Sequence, residues 1–424
     1  SEDTYRTLTA ADCAIMVIDA AKGVEAQTRK LFQVCRMRGI PIMTFINKMD
    51  LPGRDPLELV HEVENLLDIH AVPLNWPIGS GKEFRGIVKC QSREVILFEK
   101  TSSGGAQAAA SHTLSIDDAI ASNELSPSLQ EQILFDLELL EEAGNKFDRD
   151  LFLSGTVTPV FFGSALTNFG LEPFFDTFID LAPCPYPRPI FGNPHGSFGD
   201  EGEQVGLVDP LDVNFSAYVF KIQANMNPRH RDSMAFLRIC SGVFSRDMSV
   251  LHHRLEKSIK LSYSHSLMGA ERNTLDSAYA GDILGVINPG AFQIGDTVST
   301  KGGFQFQRMP QFPPEVVARI RPLDISKRKS FDKAMKQLGD EGAVQVLWIR
   351  GRSAQDPLIA AVGRLQFEVV QHRIRSEYNV DTALETLPYN YGSWLSGNPD
   401  TFKLTTTSVI AENARGQAIV LFQS

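Results

Sequence analysis

The chain has 424 residues, room for about three domains at roughly 150 residues each. Its composition, 43% hydrophobic, 22% charged and 9% aromatic, excludes a collagen-like, mucin-like or wholly disordered chain, and no apolar run reaches the roughly 18 residues of a membrane helix. The formal net charge of −10, taken whole, speaks against nucleic acid as a partner. Five cysteines without C-x-x-C spacing argue against a disulfide framework or a zinc site, and for a reducing compartment. The charge is uneven. Residues 1–210 carry 16 basic and 31 acidic side chains, residues 211–310 carry 11 and 8, and residues 311–424 carry 14 and 12.

In chain order, Ala14 to Ile18 is a short apolar run, as in a strand buried on both faces, and it ends at Asp19. A helix is predicted over about 25–38. A second buried strand runs from Ile40 to Ile46 and ends at Asn47. Asp55-Pro56-Leu57-Glu58 opens the next helix, with Asp55 as cap, Pro56 in the first turn and Glu58 completing a capping box. Val160 to Phe162 is a third strand, ending at Gly163-Ser164, and a helix follows over about 171–182. Strand and helix alternating with short connections predict a parallel sheet covered by helices. Such sheets bind ligands past their strand C-termini.

Residues 74–155 interrupt the alternation and read as an insertion. It holds a hairpin-like stretch over 87–100, a low-complexity loop over 101–111 and an acidic helix from Ser128 to about Ala143. Proline and glycine crowd residues 184–210, which read as a linker. Residues 211–311 break into short β-type segments and predict a small β-barrel. Residues 312–424 mix a basic helix (Lys327 to Leu338), a strand (Val344 to Ile349) and a helix (Leu365 to Tyr378), an α+β pattern.

The motif with chemistry is Asn47-Lys48-Met49-Asp50, just past a buried strand. Asn-Lys-x-Asp in that position is the guanine-reading motif of GTPases. A carboxylate accepts both the N1–H and the exocyclic amine of guanine, which suits Asp50. Asn47 can bond N7 and tie neighbouring loops, and the Lys48 stem can lie over the base. Gly163-Ser164-Ala165-Leu166 ends the next site-forming strand. A backbone N–H there facing O6 would reject adenine, because two donors would meet in a dry pocket.

The phosphate half of such a site is not found. Gly79-Ser80-Gly81-Lys82 resembles a phosphate loop, but Trp76 stands at the first glycine position and Glu83 replaces the hydroxyl residue, so it reads as a turn. The chain starts Ser1-Glu2-Asp3-Thr4 without Met and ends in the apolar run Ala418 to Phe422. We therefore expect a fragment at both ends. The phosphate loop and switch segments would lie upstream, leaving a partial G domain over 1–183.

Ser1–Gln27, the Asn47–Asp50 loop and Trp76-Pro77-Ile78-Gly79 resemble the translational GTPases. Residues 219–232, Val-Phe-Lys-Ile-Gln-Ala-Asn-Met-Asn-Pro-Arg-His-Arg-Asp, are similar to a barrel-domain signature of the bacterial-type peptide chain release factor 3 family. Gly342 to Val346, Val362 to Glu368 and Ser376 to Val380 resemble that family's third domain. The resemblance implies a GTP- and GDP-binding, Mg²⁺-dependent GTPase that docks on the ribosome after peptide release. There it promotes departure of class I release factors. It implies base-binding roles for Asn47, Lys48, Asp50, Ser164, Ala165 and Leu166. No catalytic residue or metal ligand is expected in this chain, whose own GTPase activity is expected to be absent. Two alternatives are a translocase-type elongation factor and a non-enzymatic ribosome-binding module without a phosphate site. A cytoplasmic location is expected, a plastid or mitochondrial matrix being compatible, with no membrane or DNA partner. Candidate rRNA contacts through phosphate attraction are Arg229, His230, Arg231, Arg238, Arg246, Arg254, Lys257 and Lys260. His252, His253 and His265 lack ligand spacing and read as structural.

Overall fold

The computed structural model describes residues 2–99, 111–122, 124–192, 203–224, 233–262, 264–268, 271–307, 313–351, 357–396, 398–414 and 416–423. The low-complexity stretch 101–110 and residues Arg229, His230 and Arg231 lie outside the described residues. Contacts divide the chain into two compact units. One is Ala11–Cys184; the other joins Ser1–Ala10 to Pro185–Ser424. The first helix, α1 (Glu2–Thr9), therefore belongs by its contacts to the second unit.

The Ala11–Cys184 unit is built on β1 (Ala14–Asp19), α2 (Ala26–Met37), β2 (Ile42–Asn47), α3 (Pro56–Leu67), β3 (His70–Pro73), β8 (Val157–Phe162) and α7 (Leu171–Leu181). The strands form a parallel sheet in the order β1-β2-β8-β3. β2 and β8 are central and covered on both faces, which is why they read as largely apolar runs. The two threonines in them are satisfied internally. Thr44 Oγ1 and Thr158 Oγ1 lie 2.8 Å apart, and Thr158 donates to the Ile42 carbonyl. On one face Phe174 of α7 packs on Phe45 and Phe161, with ring centroids 5.0 and 5.1 Å away. Asp55 caps α3 by accepting from the Leu57 and Glu58 amides, at 2.9 and 3.2 Å. The Glu58 carboxylate lies 3.9 Å from Arg54.

The segment between β3 and β8 is an antiparallel sheet of β4 (Asn75–Ile78), β5 (Gly86–Lys89), β6 (Glu94–Phe98) and β7 (Ser111–Ser115), followed by α4 (Ile116–Ala121), α5 (Pro127–Ala143) and α6 (Arg149–Leu153). Buried Trp76 ties β4 to α5 by donating from Nε1 to Asp136 Oδ2 at 3.0 Å.

In the second unit, the stretch expected as a linker contains β9 (Arg188–Phe191) and β10 (Gln204–Val208), paired antiparallel. Proline hid them. Pro189 lies in β9, where a pattern-based reading places no strand. The barrel domain has an eight-stranded sheet of β11 (Ser216–Ala224), β12 (Ser233–Ser241), β14 (Ser249–His252), β15 (Lys257–Lys260), β16 (Ser264–Met268), β17 (Glu271–Thr274), β19 (Ile283–Ile287) and β20 (Thr297–Ser299). A separate pair joins β13 (Val243–Ser245) to β18 (Ser277–Tyr279). Two-residue periodicity puts Ala217, Val219, Leu237, Ile239, Leu284 and Val298 into one core.

The third domain is a seven-stranded sheet covered by α8 (Arg328–Asp340) and α9 (Leu365–Tyr378). Phe331, Met335, Leu338, Phe367, Val370 and Ile374 of the helices pack on Ala318, Ile320, Val346 and Ile359 of the sheet. The apolar run Ala418–Phe422 is a strand hydrogen-bonded on both sides, to Ser408–Asn413 and Tyr391–Trp394. That pairing explains its lack of polar residues.

Candidate guanine-nucleotide site

Strand ends build the site. Asp19 and Asn47 end β1 and β2 in register, and β8 ends one residue before Gly163. The Asn47 carboxamide oxygen accepts from the Lys48 amide at 2.8 Å and from the Ala165 amide at 2.9 Å. One side chain thus ties both loops together. The Met49 amide donates to the Gly163 carbonyl at 3.1 Å, and the Gly163 amide to the Ile46 carbonyl at 3.0 Å. Lys48 sits at φ 69°, a left-handed conformation uncommon outside glycine, which turns the chain sharply after the strand.

Asp50 is the informative residue. Its Oδ1 is buried and has no hydrogen-bond partner among the described residues. A buried carboxylate oxygen left unmatched costs free energy. Ser164 is fully buried: its amide donates to the Phe169 carbonyl at 2.9 Å, and its hydroxyl accepts from the Thr167 amide at 3.3 Å. Leu166, 70% exposed, stands as an apolar flank to the loop.

Two contributors were missed by sequence reasoning. Asp19 Oδ2 receives the Lys48 ammonium at 2.7 Å, while Asp19 Oδ1 accepts from the Ala21 and Lys22 amides. The hydrogen bond from Lys48 holds the Asp19 carboxyl below the usual carboxylate range, against its slight burial; the same bond raises Lys48. The parallel register, which no local sequence pattern encodes, places Asp19 beside Asn47. Gly163 is the other: a Cβ there would lie 2.6 Å from the Phe169 carbonyl oxygen and 2.8 Å from the Phe45 ring.

The turn at Gly79-Ser80-Gly81-Lys82 is a turn in the structure as well. Gly81–Glu83 is one 3₁₀ turn, and the Gly81 amide donates to the Met49 carbonyl at 2.8 Å, bracing the base loop from behind. Among the described residues no group of three His, Cys, Asp or Glu is placed to hold a metal ion.

The basic candidates on the barrel divide. Arg238, 6% exposed, donates to the Gly281 carbonyl, and burial removes it from any nucleic-acid surface. Arg254 is held by Asp296 through Nε at 2.7 Å and Nη2 at 2.9 Å. Arg246 pairs with Asp276 at 2.8 Å and Lys260 with Asp247 at 3.6 Å, both at exposed positions. Lys257 is exposed on β15. His252 and His253 are buried, and burial pushes the His253 imidazole down.

A parallel sheet with Asn-Lys-x-Asp and Ser-Ala loops at adjoining strand ends defines a GTP-binding domain of the translation-factor type, here followed by a β-barrel and an α+β domain. Residues 1–184 match the family model of the elongation factor Tu GTP binding domain, and residues 214–301 that of elongation factor G domain 2. Residues 306–424 match the class II release factor RF3, C-terminal domain. The chain is 47% identical over 428 residues to peptide chain release factor 3 of Gloeobacter violaceus, covering 100% of this chain and 78% of that protein. Identity to the peptide chain release factor 3 of Symbiobacterium thermophilum is 47% over 427 residues, with the same coverages. For Nostoc punctiforme it is 45% over 429 residues, 100% of this chain and 76% of the relative. The chain belongs to the peptide chain release factor 3 family. A crystal structure of a Thermus thermophilus protein shares the fold, with a TM-score of 0.66 at 17% identity, over 97% of this chain and 60% of that one.

Proposed function

We propose that the Asn47–Asp50 and Ser164–Leu166 loops bind the guanine base of GTP and GDP. Asp50 accepts from N1–H and the exocyclic amine, Asn47 holds the two loops together beside N7, the Lys48 stem covers one face, and an amide of the Ala165–Leu166 turn meets O6. The unmatched buried Asp50 Oδ1 supports this reading most directly.

The family is a family of GTPases, and GTP hydrolysis is the activity we assign to the whole protein. The 424 residues contain no complete phosphate-loop motif, and phosphate contacts supply much of nucleotide affinity, so we infer that these residues alone do not hydrolyse GTP. Mg²⁺ is the metal we assign to the family's reaction. On the ribosome the protein promotes departure of class I release factors after peptide release, in a bacterial-type cytoplasm. Lys257, Lys260 and Arg246 remain the described candidates for rRNA phosphate contact, with Arg229, His230 and Arg231 outside the described residues. The match of residues 306–424 to a release-factor domain favours this over an elongation-factor reading.

Titration calorimetry tests the proposal. GDP should bind this chain weakly, with a Kd above about 100 µM, and GDP should bind better than ADP. Tight binding, or equal binding of ADP, would overturn it.

A further inference from the structure

We propose that the turn closing α8 is a guanidinium-binding site, and that its occupant is Arg6 of α1. Helix α1 is thereby a strap clamped across the barrel and the third domain.

The site is a helix C-terminus with its own bonds complete. The Ala343 amide donates to the Leu338 carbonyl and the Gly342 amide to the Gly339 carbonyl, at 3.0 and 2.9 Å, with Gly342 at φ 69°. The Glu341 and Gly342 carbonyls, at and just past the C-cap of α8, take no part in those turn bonds and lie at the negative end of the helix. Arg6 Nη1 donates to both, at 3.3 Å each, and Arg6 is only 8% exposed. Gly342 is required for the approach: a Cβ on it would overlap the guanidinium, with Arg6 Cζ at 2.7 Å.

The Glu341 side chain fixes the same corner from beneath. It accepts from the Ala224 amide at the end of β11, and pairs with Arg373 Nη1 of α9 at 2.6 Å. Arg373 in turn holds Glu377 at 2.6 Å. Barrel, α8 and α9 therefore meet at Glu341, and Arg6 caps the junction. Two guanidinium groups against two carboxylates leave the buried cluster neutral.

Three further bonds hold α1 along the barrel. Tyr218 Oη donates to the Thr9 carbonyl at 2.5 Å, Arg188 Nη1 to the same oxygen at 3.2 Å, and Lys221 pairs with Asp3 at 3.1 Å. Ala10 is buried in a core with Tyr218, Phe220 and Met234. Helix α1 is eight residues long and would be marginal in isolation, so docking accounts for its persistence. This inference does not depend on the nucleotide reading.

The test compares Gly342→Ala with Gly351→Ala in the full chain. Gly351, at φ 78°, has nothing within 4 Å of a Cβ, so its variant carries the same backbone strain without a clash. Trypsin can cut after Arg6 only when α1 leaves its site. We expect cleavage after Arg6 to rise about ten-fold in Gly342→Ala and to stay unchanged in Gly351→Ala. Equal rates in the two variants would overturn the proposal. If hydrogen exchange shows that Gly342→Ala also deprotects β12, Arg6→Met decides. It keeps the aliphatic stem, and α1 amides should exchange about ten-fold faster while β12 stays protected. Unchanged α1 exchange in Arg6→Met would equally overturn it.

Discussion

Lys48 Nζ lies 2.7 Å from Asp19 Oδ2, so the lysine of the Asn47–Asp50 loop is held by the strand next to its own. Lys48 is exposed and Asp19 half-buried, so the pair is screened from one side and contributes little to stability by itself. Its effect is on where the Lys48 stem lies. Asp19→Ala should leave Tm within about 2 °C of wild type. In a chain extended to the length of its relatives, it should speed GDP dissociation about ten-fold, with Asp19→Glu retaining part of the slower rate. Stopped-flow release of a fluorescent GDP checks both. An unchanged release rate would remove Asp19 from the site.

Asp50→Asn converts a double acceptor into one acceptor and one donor. Xanthine carries a carbonyl where guanine carries the exocyclic amine, and the new donor suits it. The extended chain should lose about 100-fold in GDP affinity and gain xanthosine diphosphate binding. Competition between the two diphosphates reads the switch directly. Preserved preference for GDP would show that the buried Asp50 oxygen answers to something else.

The strand ends that carry the candidate loops were legible in the sequence because those strands are buried on both faces. Asn47 and Ser164 could be placed from apolar runs and their ends. Asp19 was not assigned a role because its partner is set by sheet register, which no local pattern encodes. Arg238 was misread as a surface cation because its strand alternates only in part; Leu237, Arg238 and Ile239 are all buried. The strands at Arg188–Phe191 and Gln204–Val208 were hidden by proline and by pairing across sequence. Helix α1 shows no sign in sequence of its attachment to Glu341, 335 residues away.

Asp296 and Asp136 are buried carboxyls that should titrate with opposite consequences. In the barrel, burial would raise Asp296, but the hydrogen bonds from Arg254 prevail and hold it below the usual range. His252 Nε2 lies 3.0 Å away without the alignment of a hydrogen bond, and the Gln293 amide donates at 2.6 Å. A depressed carboxyl stabilises the fold above its unfolded value, about 3.9, and that contribution fades as pH falls through the folded value. Asp296→Asn should cost about 2 kcal/mol at pH 7, discounted for the partly exposed Arg254. In urea unfolding, the gap between wild type and variant should begin to narrow as pH falls below about 4 and close only below the folded value of Asp296. A gap that is constant with pH would contradict the assignment.

Asp136 runs the other way. Burial raises its carboxyl, only partly offset by the Trp76 Nε1–H. A raised carboxyl is favoured in its neutral form, so its charge opposes folding once pH exceeds the unfolded value, about 3.9. Asparagine keeps a carbonyl acceptor for Trp76 and carries no charge. Asp136→Asn should therefore stabilise the Ala11–Cys184 unit by about 1 kcal/mol at pH 7. The gain should disappear below about pH 4, where the wild-type carboxyl is protonated in both states. Urea unfolding followed by Trp76 fluorescence measures it, because the indole loses its buried partner as that unit opens. A loss of stability at pH 7 would mean that the charged form is what Trp76 and α5 are built to hold.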